Sequence, residues 1–243
     1  KKLAEGIDAL VLDVKVGRGA FMPDAERARE LARTMIGIGA GAGVRVRALL
    51  TSMEQPIGRA VGNALEVVEA LDVLRGGGPA DTVELTRELG AEMLVLGAAA
   101  GNLDDGRAAV DRALADGRGL ELLARVIEAQ GGDPRVCDDP SRLPRAAHTE
   151  EVAAPRDGVV GGISPRRLAR AALEVGAGRR VVSDAVVPST GVVLRALPGE
   201  RVDAGQPLVT VVDLSAFDRL TVVMPSGLIV NVPERQLLEW REH

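Results

Sequence analysis

The sequence predicts an α/β fold, in which a partial parallel sheet with flanking helices precedes a smaller, β-rich C-terminal domain. The chain has 243 residues, of which 46% are hydrophobic, and that is enough for one large or two modest domains with a core. Over residues 9–50, short aliphatic runs alternate with a helical pattern, as they do in parallel sheets. Beyond about residue 150, short strands separated by glycine-containing turns predominate.

The first predicted unit is a strand, a helix and a second strand. Ala9–Val16 is a short aliphatic run that Gly17–Gly19 closes, which is typical of a buried parallel strand opening into a glycine-rich loop. Asp24 predicts the start of the connecting helix. Val44–Leu50 predicts the second strand, and the connection between the two strands is expected to be right-handed.

A helix-rich stretch and then a linker are predicted to follow. Asp81, with Glu84 three residues later, suggests a capping box at the start of one of these helices. Residues 131–157 contain four prolines among polar residues, which is linker composition, and we place a domain boundary near residue 150. The helical patterns cover about residues 61–71, 81–96, 103–115 and 119–130.

Short strands dominate the predicted C-terminal domain. Residues 158–163 and 181–187 suggest strands on either side of a helix that begins at Pro165. Residues 191–212 suggest two strands joined through a Pro-Gly and an Ala-Gly turn, which is a small sandwich pattern. The tail is expected to form a hairpin near residues 220–232 and a short helix at Gln236–Arg241.

Composition narrows the classes of function. A net charge of −5 argues against nucleic acid as the main partner, and the scarcity of aromatics (one Trp, two Phe, no Tyr) argues against single-strand binding by base stacking. The single cysteine, Cys137, cannot form an internal disulfide and fits a reducing cytoplasm. No apolar run approaches the length of a membrane span, so we expect no association with a membrane.

Few residues have the spacing of a known catalytic site. His148 and His243 are the only histidines, which disfavours zinc sites and histidine-dependent triads, and we assign no catalytic residue. The Gly17–Gly19 loop lacks the further residues of a dinucleotide fingerprint and is by itself weak evidence for a ligand. Lysine occurs only at Lys1, Lys2 and Lys15, so any lysine-dependent role is confined to these positions.

Four segments resemble the pyrimidine-nucleoside and thymidine phosphorylases. The longest are Lys1–Met22 and Ala48–Val67, and shorter ones are Ala129–Pro134 and Gly176–Arg179. With the closing hairpin, the resemblance covers roughly residues 1–213. It implies a homodimeric pentosyltransferase in which phosphate cleaves thymidine or uridine into the free base and a pentose 1-phosphate. It also implies a hammerhead-like (barrel-sandwich) C-terminal domain.

The resemblance assigns roles to five residues. Lys1 corresponds to a lysine that holds the carbonyl edge of the pyrimidine, and an ammonium there would stabilise the negative charge of the departing base. Phe21 corresponds to a residue that lines the pocket near position 5 of the base. Backbone carbonyls of Ile57 and Ala60 and the carboxylate of Glu69 correspond to ligands of a monovalent cation, potassium.

The resemblance also divides the chain. Residues 1–5 would end a helix of a helical domain, residues 6–150 would be part of the α/β domain, residues 151–213 the hammerhead-like domain, and residues 214–243 a divergent tail. The family's phosphate-binding region, the remaining ligands of the cation, and an arginine and a serine that hold the base together with Lys1 would lie before residue 1, so we expect this chain alone to have little or no activity. The sequence does not distinguish thymidine from uridine as the substrate.

Two departures and two alternatives accompany this interpretation. Arg18 stands where members commonly have a small residue, and Ser52 replaces a usual aspartate, which leaves the geometry of this loop open. One alternative is the related AMP phosphorylase branch, which acts on nucleotides. The other is a non-catalytic binding module or relic, although a lipoyl- or biotinyl-type carrier would need a lysine in the C-terminal hairpin, and no lysine follows Lys15.

Overall fold

The computed structural model describes residues 2–212, together with the residue pairs 222–223 and 229–230. The chain forms two compact units. The first unit contains residues 1–58, 69–140 and 164–166, and the second contains residues 59–68, 141–163 and 167–243. No helix among the described residues is long and apolar enough to cross a membrane.

Helices and strands alternate in the first half of the chain, and strands predominate after residue 148. The helices are α1 (Ala25–Gly41), α2 (Asn63–Leu74), α3 (Ala80–Leu96), α4 (Leu103–Ala115), α5 (Arg118–Ala129) and α6 (Pro165–Glu174), with 3-10 turns at Lys2–Glu5, Pro134–Cys137 and Pro140–Arg142. The strands are β1 (Ala9–Val16), β2 (Arg45–Ser52), β3 (Ala60–Val61), β4 (Thr149–Ala153), β5 (Gly158–Val159), β6 (Gly191–Leu194), β7 (Arg201–Val202), β8 (Pro207–Val212), β9 (Val222–Val223) and β10 (Ile229–Val230).

The first unit is organised around the parallel pair of β1 and β2, which confirms the predicted α/β class and the strand-helix-strand unit. Asp24 caps α1, because its carboxylate accepts a hydrogen bond from the Arg27 amide at 2.9 Å. Val14 of β1 and Ala28 and Ala32 of α1 are buried together. These small side chains allow the helix to lie close to the sheet.

The predicted capping box at Asp81 and Glu84 is wrong. The N-cap of helix α3 is Pro79, two residues before Asp81, and no side chain makes the capping hydrogen bond. The Asp81 carboxylate instead accepts a hydrogen bond from the Gly58 amide at 3.1 Å. A contact from a loop 23 residues away has therefore replaced the local one that the sequence suggested.

The second unit contains a four-stranded antiparallel sheet with the order β3, β6, β8, β4. Its core is aliphatic, and its largest buried side chains include Leu194, Val175 and Val192. Residues 191–212 form three strands instead of the predicted two, because both turns separate strands. A further small pair, β5 with β7, is also antiparallel.

Two other predictions in this unit need correction. The expected strand at 181–187 is absent, because the Asp184 carboxylate accepts hydrogen bonds from the amides of Arg180 (2.9 Å) and Val181 (3.0 Å) and closes a turn. The expected linker at 131–157 contains strand β4, which pairs with β8 and buries Val152. In the tail, β9 and β10 pair antiparallel, as the predicted hairpin requires. The predicted helix at Gln236–Arg241 lies outside the described residues.

Candidate functional site

The candidate site lies in the first unit, at the carboxyl ends of β1 and β2. Val16 and Ser52 are register partners at the end of the two parallel strands, so the loops that follow both strands leave from the same edge of the sheet. In open α/β sheets, ligands bind in the crevice outside these strand ends. The Gly17–Met22 loop and the loop that begins at Met53 therefore occupy the expected position of a binding site.

Three polar side chains form a closed cluster just before this edge. The Lys15 ammonium lies 2.7 Å from an Asp13 carboxylate oxygen and donates a hydrogen bond to the Thr51 hydroxyl at 3.0 Å. The Thr51 hydroxyl in turn donates to Asp13. The side chains of Lys15 and Asp13 are only 30% and 23% exposed. The cluster fixes the one lysine in the strands as part of an ion pair, a role that the sequence alone left open.

The glycine-rich loop is held against the loop after β2 by backbone hydrogen bonds. The Gly19 amide donates to the Met53 carbonyl at 3.0 Å, and the Met53 amide donates to the Val16 carbonyl at 2.6 Å. Gly17 has a φ of +125°, and a Cβ there would lie 2.6 Å from a Glu54 carboxylate oxygen. Only glycine combines this conformation with so close an approach.

Phe21 lies near the end of this loop and is 99% exposed. A large aromatic side chain without packing is unusual, because burial of such a ring contributes several kcal/mol (about 25 cal/mol per Å² of apolar surface). In this unit the ring is available for a ligand, which is compatible with the pocket role that the family resemblance implies. No contact within the described chain competes for the ring face.

Arg18 forms an ion pair with the neighbouring loop. Its Nε donates to Glu54 Oε2 at 2.6 Å, and its amide donates to Glu54 Oε1 at 3.2 Å. The side-chain hydrogen bond from Arg18 holds the pKa of Glu54 below its usual value. Ser52 contributes at the same place, because its hydroxyl accepts a hydrogen bond from the Glu54 amide at 3.3 Å. Both departures from the family pattern therefore contact the same glutamate.

Side-chain oxygens of Glu69 and Thr82 approach Gly58, the residue after Ile57. Gly58 has a φ of +68°, and a Cβ there would overlap the Glu69 carboxylate. The same point lies 3.1 Å from the Thr82 hydroxyl oxygen, which is buried and has no hydrogen-bond partner in the described chain. The Glu69 carboxylate and the orphaned Thr82 hydroxyl are both oxygen donors, as a hard cation such as potassium requires.

The predicted site residues do not all lie in the same unit, and one of them is not among the described residues. Ile57 is 44% exposed and, with Glu69, belongs to the first unit, whereas Ala60 is buried in β3 of the second unit. Lys1 lies outside the described residues, and the adjacent Lys2 forms an exposed ion pair with Glu5. Within the described ranges, no group of three or more His, Cys, Asp or Glu residues lies close enough together to hold a metal ion.

Two features of the site were missed by the sequence reasoning. The triangle of Asp13, Lys15 and Thr51 depends on the pairing of β1 with β2, which sequence spacing does not reveal. The approach of Thr82 to Gly58 depends on tertiary packing across 24 residues of chain. A partial signal did exist for the triangle, since Asp13 and Lys15 alternate on an otherwise aliphatic strand and therefore share one face.

Two family models match separate parts of the chain. Residues 1–120 match the one described as "Glycosyl transferase family, a/b domain", and residues 159–214 match "Pyrimidine nucleoside phosphorylase C-terminal domain". The first match, together with the α/β fold of this part of the chain, places residues 1–120 among the α/β domains of the glycosyl transferase family.

Curated relatives narrow the class further. The chain is 45% identical over 210 residues to the pyrimidine-nucleoside phosphorylase of Bacillus subtilis (strain 168), covering 86% of this chain and 48% of that protein. Identity to the pyrimidine-nucleoside phosphorylase of Geobacillus stearothermophilus is 44% over 211 residues, covering 87% and 49%. For the Staphylococcus haemolyticus protein of the same name it is 42%, with the same coverage. This chain belongs to the pyrimidine-nucleoside phosphorylase family, and it spans about half the length of the curated relatives it matches.

Proposed function

We propose that this chain is part of an enzyme that cleaves pyrimidine nucleosides with inorganic phosphate. In this reaction the bond between the base nitrogen and the sugar C1′ breaks, and a phosphate oxygen forms a bond to C1′. The base leaves with the bonding electron pair and takes up a proton, and the second product is a pentose 1-phosphate. The observation that carries the proposal is the 45% identity to a pyrimidine-nucleoside phosphorylase over 86% of the chain.

Lys1 is proposed to bind the carbonyl edge of the pyrimidine. Negative charge accumulates on the base as the glycosidic bond breaks, so a fixed ammonium stabilises the transition state more than the substrate. Phe21 is proposed to contact the base near position 5, which its 99% exposure at the sheet edge supports. The Asp13–Thr51–Lys15 triangle then keeps the ends of both strands in place beneath the loop that carries Phe21.

A potassium ion is proposed at Ile57, Ala60 and Glu69. Backbone carbonyls of the first two residues and the Glu69 carboxylate would provide oxygen ligands, as a hard cation requires. When bound, the ion would supply structural order by holding the loop at Ile57 to helix α2. Support for this assignment comes from the Glu69 carboxylate and the orphaned Thr82 hydroxyl, which lie on the same side of Gly58.

The remaining partners are proposed from the family. Phosphate is the co-substrate, and the complete protein is proposed to be a homodimer in the cytoplasm that binds neither membranes nor nucleic acids. A single cysteine cannot form an internal disulfide, which supports a reducing compartment. Cys137 is buried, and burial raises the pKa of its thiol, so it is a weak candidate for redox chemistry.

Phosphate-dependent base release tests the proposal. Thymidine and uridine would be incubated with the 243-residue chain and, in parallel, with this chain joined to the portion that precedes the matching segment in the Bacillus subtilis relative. We expect the joined protein to release thymine or uracil only when phosphate is present, and the chain alone to release little or none. Release from CMP or AMP, but not from nucleosides, would favour the nucleotide branch. If neither protein releases base from any of these compounds, the proposal is wrong.

A further inference from the structure

The hydroxyl of Thr82 is a buried polar atom that the described chain leaves without a partner. Its Oγ1 is inaccessible to solvent and makes no hydrogen bond. An unsatisfied buried hydroxyl costs about 1–3 kcal/mol, so native proteins rarely retain one unless a ligand, ion or water completes it. A valine of the same shape would avoid this cost, and the presence of the hydroxyl therefore requires an explanation.

The Thr82 hydroxyl and the Glu69 carboxylate approach the same side of Gly58. A Cβ at Gly58 would lie 3.1 Å from Thr82 Oγ1 and 2.9 Å from the carboxyl carbon of Glu69. Both groups therefore converge on the side of Gly58 where another residue would have its side chain. Glycine at position 58 both adopts the positive φ and leaves room for the Glu69 carboxylate, which a Cβ would overlap.

The backbone at Gly58 and Thr82 is fixed by Asp81. One carboxylate oxygen of Asp81 accepts from the Gly58 amide at 3.1 Å, and the other accepts from the Thr82 amide at 2.9 Å. Asp81 thus links the loop that follows Ile57 to the first turn of α3. The Glu69 carboxylate approaches Gly58 from helix α2, on the side where Thr82 Oγ1 also lies.

We propose that Thr82 Oγ1 is a direct oxygen ligand of the monovalent-cation site that includes Glu69. This inference rests on the potassium site of the proposed function and adds a ligand to it. The Glu69 carboxylate and the Thr82 hydroxyl are both hard oxygen donors, which is the ligand type that a monovalent ion such as potassium accepts. The ion accepts a lone pair of Oγ1 and so gives this buried oxygen a partner.

Potassium-dependent thermal unfolding of the joined protein, which contains the upstream portion of the relative, tests this assignment. Unfolding temperature would be measured against potassium chloride, with choline chloride keeping the ionic strength constant, for the wild type and for Thr82→Val, Thr82→Ser and Thr86→Val. Thr82→Val replaces the hydroxyl by a methyl group, whereas Thr82→Ser retains the hydroxyl. Thr86→Val makes the same replacement at an exposed position one turn later in α3.

We expect the wild type, Thr82→Ser and Thr86→Val to be stabilised by potassium with similar midpoints. For Thr82→Val we expect the midpoint to rise at least tenfold, or the response to disappear. Without potassium, Thr82→Val should unfold at a temperature no lower than the wild type, because it buries no orphaned hydroxyl. A purely structural hydrogen bond of Thr82 would instead lower the unfolding temperature at every potassium concentration.

The outcomes separate this inference from the proposed function. A wild-type midpoint in Thr82→Val overturns the role of Thr82, whatever the result of the base-release assay. Absence of any potassium response in the wild type overturns the inference and the cation site together, while base release by the joined protein would leave phosphorolysis standing. If the potassium midpoint rises in Thr82→Val but not in Thr82→Ser, and no base is released, the assignment of Thr82 as a ligand is supported and the proposed reaction is wrong.

Discussion

The two compact units differ in what they bury. The first unit half-buries an ion pair, Lys15 with Asp13, at the ends of its parallel strands, and its sheet packs on the small side chains of α1. The second unit buries an aliphatic cluster that includes Leu194, and its buried polar side chains among the described residues are Thr190 and Thr210. Both threonines have hydrogen-bond partners.

The first unit thus has a polar edge, formed by Asp13, Lys15 and Thr51, and the second unit has an aliphatic core. Charged groups at the ends of parallel strands are costly to desolvate and are retained where they contribute to binding or position a loop. A core of Val and Leu gives stability and a unique packing, and it offers no chemistry. We therefore expect substitutions in the loops at the sheet edge to change ligand-dependent properties, and substitutions in the aliphatic core to lower the free energy of unfolding more than substitutions of the ion pair do.

The largest expected effect is on turnover, at Lys1. In the joined protein, Lys1→Ala should lower kcat by about 100- to 1,000-fold, which is the usual cost of removing one preorganised electrostatic group. The measurement is steady-state phosphorolysis of thymidine and uridine. Lys2→Ala is the matched control, because Lys2 forms an exposed ion pair with Glu5 and should keep wild-type turnover. Wild-type turnover in Lys1→Ala would remove Lys1 from the proposed site.

The next largest effect is expected on the free energy of unfolding, in the aliphatic core of the second unit. Leu194 is 1% exposed, so Leu194→Ala should lower the free energy of unfolding by about 2–5 kcal/mol, measured by urea denaturation. Val182 is 92% exposed, and Val182→Ala should change it by less than about 0.5 kcal/mol. Equal effects of the two substitutions would mean that Leu194 does not belong to a packed core.

A smaller effect is expected at the half-buried triangle. Asp13→Asn removes the charge that compensates the Lys15 ammonium and should lower the free energy of unfolding by about 1–3 kcal/mol. Glu5→Gln, which disrupts the exposed pair with Lys2, should cost less than about 1 kcal/mol. Urea denaturation at neutral pH compares the two variants. The triangle would lose its structural importance if Asp13→Asn were as mild as Glu5→Gln.

The smallest effect concerns the Arg18–Glu54 pair. Its hydrogen bonds hold the pKa of Glu54 below the ordinary value, so the pair contributes stability above that ordinary pKa, and the contribution is lost as the pH falls through the lowered one. In Arg18→Ser, the pKa of Glu54 should rise towards its usual value, measured by NMR titration. Arg29→Ser, which alters a 3.4 Å exposed pair with Glu26, should leave Glu54 unchanged. If the pKa of Glu54 in Arg18→Ser were the same as in the wild type, the Arg18–Glu54 ion pair would not exist in solution.

The sequence predicted the elements whose signals are local. Strand β1 has the predicted bounds Ala9–Val16, because an aliphatic run ended by Gly17 defines it without reference to the rest of the chain. The N-terminus of α1 was equally clear, since Asp24 caps it directly. The strand expected at 181–187 failed because Asp184 bonds to nearby amides, and an aliphatic run alone does not reveal that competition.

The candidate site was less accessible from sequence, because its contacts join distant segments. Thr51 meets Asp13 and Lys15 only after β1 and β2 pair in their observed register. Family resemblance suggested Glu69 as a cation ligand, yet it gave no indication of Thr82, whose orphaned hydroxyl is visible only in three dimensions. The roles of Lys1, Phe21, Ile57, Ala60 and Glu69, and the proposed domain boundaries, remain predictions.

Phosphorus NMR of the joined protein with uridine and phosphate tests the central claim, that this chain is part of a phosphorolytic enzyme in which Lys1 binds the base. The account predicts a new resonance of a pentose 1-phosphate that grows in equal amount with released uracil, and the resonance should be nearly absent with Lys1→Ala. Release of uracil with free pentose and no new phosphorus resonance would contradict the account, because water would then be the nucleophile.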